Sequence, residues 1–98
     1  MDMKELRTKI DELDDGIKDA FVKRMELCAG IAAYKKANGL PVFYPARERE
    51  IVERLTKDMA PDMASYLAAL YDTLFEVSRA YQTKRIEESG LADGAPEN

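Results

Sequence analysis

Four polar side chains stand on rows that are otherwise apolar, and any chemistry in this chain has to start with them. Arg24 and Lys35 fall on a row formed by Met3, Leu6, Ile10, Leu13, Ile17, Ala20, Leu27 and Ile31, whose steps alternate between three and four. Ser78 and Gln82 follow Tyr71 and Phe75 on another such row. Arg24 and Lys35 are 11 residues apart, which is about three helical turns, so they point the same way roughly 16 Å apart along the axis. Arg7 flanks the same row 17 residues before Arg24. A cation holds such a position only where it meets an anion or reaches water, because burying it bare costs on the order of several kcal/mol. The supply of internal anions near these residues is thin, and an anionic ligand would make up the deficit.

Each of these residues also has a plain structural account. Arg24 can set helix register or snorkel to water. Lys35 can compensate the dipole at a helix C-terminus. Ser78 and Gln82 can form a helix–helix hydrogen bond, and Arg47 with Glu48 can be an exposed helix start. Each account is reasonable singly; all of them on one small chain are less comfortable.

Several other chemistries are excluded. There is no His, hence no imidazole base, no His metal ligand and no Ser-His dyad, so zinc sites and nucleophilic triads are set aside. The single Cys28 cannot form an internal disulfide and reads as a small core residue. The net charge of −4, with no basic stripe, argues against nucleic acid as a partner. No apolar run approaches the length of a membrane span. The N-terminus lacks a signal-peptide pattern, so a cytoplasmic protein is expected.

The elements that must position these residues are helices. Residues 3 to 38 read as one helix of about 35 residues, roughly 50 Å long, with Asp2 and Glu5 as an approximate capping box. Phe21, Met25, Cys28 and Ala32 form a second apolar row beside the first. Gly16 and Gly30 mark either helix crossings or tolerated positions, and Asn38-Gly39 closes the helix. Two prolines make residues 39 to 45 an ordered, largely apolar loop, and Pro45 suits the first turn of a second helix. That helix runs from about 46 to 58 and buries Ile51, Val52, Leu55 and Met59. A third runs from about 62 to 88 with a seam of Met63, Leu67, Leu70, Leu74, Val77 and Tyr81, and ends at Gly90. Residues 1–90 are read as one domain and 91–98 as a disordered tail. A compact domain of this size has a radius of gyration near 13 Å. The first helix is too long for the rest of the chain to wrap, so its expected partner is a second copy.

The blocks Leu6-Arg7-x-x-Ile10-Asp11-x-Leu13-Asp14, Lys23-Arg24-Met25-Glu26-Leu27 and Ile31-Ala32-x-x-Lys35 together resemble the N-terminal helix of the all-helical chorismate mutases. Pro41-Val42 with Arg47-Glu48-Arg49-Glu50-Ile51, and Leu74-Phe75-x-x-Ser78-x-x-x-Gln82, continue the resemblance in order over about residues 3 to 86. The resemblance implies an all-α fold: an intertwined homodimer of three-helix chains in which the very long first helices shape both sites. It implies the Claisen rearrangement of chorismate to prephenate, in phenylalanine and tyrosine synthesis, with no cofactor and no metal. By resemblance, Arg24 and Arg47 of one chain and Arg7 of the other would hold the substrate's two carboxylates, with Ser78 assisting. Lys35 and Gln82 would donate to the ether oxygen as the C–O bond breaks, and Glu48 would accept from the ring hydroxyl. Many relatives carry an acid four positions before that glutamate. Tyr44 stands there in this chain, so only a main-chain contact with the substrate would survive. Two alternatives stay open: an isochorismate pyruvate lyase on the same fold, and a non-catalytic helical dimer. The chain is too short for the fused dehydratase or dehydrogenase domain of some relatives and is read as monofunctional.

Overall fold

The computed structural model describes the backbone of residues 1–94 and the side chains through Ser89. Three helices follow one another: α1 (Met3–Ala37), α2 (Pro45–Thr56) and α3 (Pro61–Gly94). α1 opens where Asp2 accepts a hydrogen bond from the Glu5 N–H at 2.8 Å, one of the otherwise unpaired donors of a first turn. It closes in a Schellman turn. The Leu40 N–H reaches the Lys35 carbonyl at 2.8 Å and the Gly39 N–H reaches the Lys36 carbonyl at 3.4 Å. Gly39 has φ +63°, the left-handed geometry that a side chain disfavours. The turn sends the loop back along the helix end. Pro45 then occupies the first position of α2, where its missing N–H costs nothing.

Packing within the chain is confined to one region. Among the described residues, Cys28 and Ala32 on α1 and Phe75, Ser78 and Gln82 on α3 are the buried ones, while α2 lies against α3 and its Ile51, Val52 and Leu55 are half-buried. Every residue from 1 to 23 is exposed. The molecule is long and thin, 64 × 30 × 14 Å with a radius of gyration of 17.8 Å. A thickness of 14 Å is little more than one helix with its side chains.

The predicted helices are present, with two differences. α3 passes Gly90 and continues to Gly94; a helical glycine costs about 1 kcal/mol but does not by itself stop a helix. Of the tail expected over 91–98, residues 95–98 lie outside the described residues. The predicted seams are also not the most deeply buried rows within the chain. On α1 the second row, Cys28 and Ala32, is buried, while Leu13 is 64% and Leu27 70% exposed. On α3 the row of Phe75, Ser78 and Gln82 is buried, while the predicted seam is split, with Leu67, Leu74 and Tyr81 half-buried and Met63, Leu70 and Val77 exposed. Among the described residues, the apolar stripe of α1 and half of that of α3 are therefore left open by the single chain. Gly16 and Gly30 have no neighbour within 4 Å of an added Cβ, so neither marks a crossing within the chain. No described helix is long and apolar enough to cross a membrane.

Candidate active site

The four polar intruders meet in pairs where α1 and α3 pack. Arg24 Nη1 donates to Ser78 Oγ at 2.6 Å. Lys35 Nζ donates to Gln82 Oε1 at 2.8 Å and to the Val42 carbonyl at 2.7 Å. The second of these bonds exists because the Schellman turn folds the loop back over the end of α1. Ser78 and Gln82 are 5% and 6% exposed, and no buried side-chain nitrogen or oxygen among the described residues lacks a partner. The guanidinium of Arg24 also lies 6.0 Å from the centre of the Phe75 ring, which meets Tyr71 edge-on.

These pairs form the wall of a cavity of about 310 Å³ between the helices. Its lining includes Arg24, Lys35, Tyr44, Arg47, Glu48, Ser78, Arg79 and Gln82. Four of these are cations and one is a carboxylate, a formal surplus of three positive charges. Among the described residues no carboxylate lies within ion-pair distance of Arg24 or Lys35; both donate to neutral oxygens. A cavity with surplus positive charge, walled by donors, suits an anion with more than one carboxylate. Burial pulls the Lys35 ammonium below its ordinary pKa, while Cys28 and the Glu48 carboxylate push the other way.

Arg47 sits in the first turn of α2, lines the cavity and remains exposed, donating to Glu50 at 2.9 Å. Tyr44 lies beneath Lys35, whose Nζ is 5.3 Å from the ring centre. The Tyr44 carbonyl accepts the Glu48 N–H at 3.2 Å, so that main-chain acceptor already serves the helix start. Arg7 is not brought to the cavity within one chain. It lies on the exposed stretch of α1, 17 residues from Arg24 and so about 25 Å away along the axis.

Sequence reading missed three participants. Arg79 Nη1 donates to both carboxylate oxygens of Glu48, at 2.7 and 2.5 Å, and its guanidinium stacks 4.9 Å from the centre of the Phe43 ring. One residue past Ser78, Arg79 turns by about 100° off the polar row, and nothing in helical spacing ties it to Glu48 on another helix. Phe43 and the Val42 carbonyl lie in the loop, where periodicity carries no signal.

Residues 6–83 match the family model for chorismate mutase type II. The 4-amino-4-deoxychorismate mutase of Streptomyces venezuelae is 31% identical over 94% of this chain and 92% of its own length. The chorismate mutase of Methanocaldococcus jannaschii is 30% identical over 87% of this chain and 88% of its own. The 4-amino-4-deoxychorismate mutase of Streptomyces pristinaespiralis is 30% identical over 91% of this chain and 67% of its own. No solved structure matches the chain significantly. With a family match that runs over residues 6–83 and so through all three helices, and relatives of 30–31% identity aligned over most of both chains, this chain belongs to the chorismate mutase type II family of isomerases.

Proposed function

We propose that the protein rearranges chorismate to prephenate in a site completed by a second copy of the chain. The observation that carries this reading is the pair of contacts Arg24–Ser78 and Lys35–Gln82 in one positively charged cavity. Chorismate has two carboxylates, a ring hydroxyl and an ether oxygen. Arg24 and Arg47 bind carboxylate, their planar forks suiting that shape, and Ser78 fixes the direction of the Arg24 guanidinium. Arg7 of the second copy supplies the remaining cation. Held at both carboxylates, the side chain folds over the ring so that the two carbons to be joined lie together.

In the reacting step the ether C–O bond breaks as the new C–C bond forms, and no proton or electron is exchanged with the protein. Negative charge grows on the ether oxygen. Lys35 Nζ and the Gln82 side-chain amide donate to it, stabilising charge that is small in the ground state and large in the transition state. With a substrate bound, Gln82 turns its NH₂ toward the oxygen. Glu48 accepts from the ring hydroxyl.

The second copy is supported by the exposed apolar stripe of Leu6, Ile10, Leu13, Ile17, Leu27 and Ile31. Burying each such side chain contributes about 1.5–3 kcal/mol. Two α1 helices laid across a two-fold axis cover both stripes and carry each Arg7 toward the other chain's cavity.

A second reading is rearrangement of 4-amino-4-deoxychorismate, in which an amine replaces the ring hydroxyl. It is favoured by the 30% and 31% identity to two mutases of that name. Both readings share the clamp and differ at Glu48. Purified protein mixed separately with chorismate, 4-amino-4-deoxychorismate and isochorismate, with chelator and no added cofactor, tests the proposal. Prephenate from chorismate is expected. Failure to consume chorismate, or salicylate and pyruvate from isochorismate, contradicts it.

A further inference from the structure

Arg79 lines the cavity and has no part in the rearrangement as set out above. We propose that it determines specificity for the ring substituent: paired with Glu48, it makes that end of the cavity an acceptor for a neutral hydroxyl and repels a substrate carrying an ammonium there. The inference rests on the mutase reading and chooses between its two substrates.

The geometry is specific. A single guanidinium nitrogen lies against both Glu48 oxygens, and the Phe43 ring holds the guanidinium from another side. The pair is only partly open to solvent, with Arg79 30% and Glu48 22% exposed at the side chain, so water does not fully screen it. An ionised carboxylate offers about four lone-pair sites, and Arg79 takes two. The rest can accept an O–H. The pair as a whole is formally neutral, so a hydroxyl gains a hydrogen bond there without meeting a net charge.

A primary ammonium in the same place fares differently. Its attraction to Glu48 is offset by repulsion from Arg79, and the wider cavity is already cationic with Arg24, Lys35 and Arg47. Glu48 is the only carboxylate on the cavity wall among the described residues. Had Glu48 stood without Arg79, it would be a strong ammonium site. The neighbouring arginine reverses that preference.

The test compares kcat/KM for chorismate and for 4-amino-4-deoxychorismate in the wild-type protein, Arg79→Gln and Arg79→Lys. Wild-type protein should favour the hydroxyl substrate by about tenfold or more, the scale of a single misplaced charge. Arg79→Gln should move the ratio toward the amine by a similar factor, and Arg79→Lys, which keeps the charge, should retain most of the discrimination. A merely structural role lowers both values together and leaves the ratio alone. A second measurement needs no variant: raising the pH through the amine's own pKa neutralises the ammonium, and the wild-type ratio should narrow. A wild-type preference for the amine overturns the inference but leaves the mutase reading standing. So does an unchanged ratio in a folded Arg79→Gln protein, or a wild-type ratio that does not respond to pH. Wild-type protein inert toward both substrates fails differently, removing the mutase reading and this inference with it.

Discussion

Lys35 is asked to hold a charge that burial disfavours, and the surrounding groups show how. Its Nζ is fixed by two neutral oxygens, and Glu48 supports its charge from nearby. Lys35→Ala should lower kcat by about 10²–10³ or more, the usual cost of a donor to a developing oxyanion, while leaving helix content unchanged by circular dichroism. The pH dependence has a definite sign. The ammonium is the active form, and its folded-state pKa lies below the ordinary lysine value. Activity, as kcat/KM of the free enzyme, should therefore be lost on the alkaline side at a lower pH than an ordinary lysine would give. For stability, the unfolded chain binds the proton more tightly between those two pKa values. This group alone then makes stability rise with pH across that window. Glu48→Gln removes a charge that favours the ammonium, so the Lys35 titration, followed by NMR, should move to still lower pH.

At this scale the sequence was informative where a polar residue broke an apolar row. Arg24, Lys35, Ser78 and Gln82 stood out for that reason, and they meet in the structure. Arg79 did not, because a charged residue off the apolar row is the ordinary condition of a helix surface. Its significance depends on Glu48, 31 residues away on another helix.

The helix ends set the geometry of the elements. Gly39 supports the turn that returns the Val42 carbonyl to Lys35, and its φ of +63° is the reason a side chain is unwelcome. An added Cβ would meet nothing within 4 Å, so the cost of Gly39→Ala is in the backbone alone, about 1–2 kcal/mol. Thermal unfolding should show that loss, with a drop in activity as the loop shifts from Lys35. The starts at Asp2 and Pro45 and the stop at Asn38-Gly39 were legible because each has a local chemical signature. The end of α3 was not, since Gly90 is permissive of a turn without requiring one. Which apolar row packs inside the chain was not legible either. Both long helices carry two apolar rows, and spacing alone does not say which one meets a neighbour in the same chain and which is left for another molecule.

As a whole, the chain is a sheet of helices one layer thick. Among the described residues the buried apolar ones are Cys28, Ala32 and Phe75, too few to offset the entropy of ordering 90 or so residues at roughly 1–2 kcal/mol each. Stability should therefore come from association, and the unfolding midpoint should rise with protein concentration. Leu13→Glu, placed on the exposed stripe and far from Arg24 and Lys35, should dissociate the protein in sedimentation and abolish activity together. The length of the first helix carried this expectation from the sequence: a helix roughly 50 Å long cannot be covered by the residues that remain.

Turnover should require a site shared by two chains. Arg7→Ala and Arg24→Ala proteins, each inactive alone, are unfolded, mixed in equal amounts and refolded, and chorismate turnover is measured. Half of the dimers then pair one chain of each kind, and each has one site with both arginines intact, so about a quarter of wild-type activity should return. No recovery, with heterodimers demonstrated in the mixture, would contradict it.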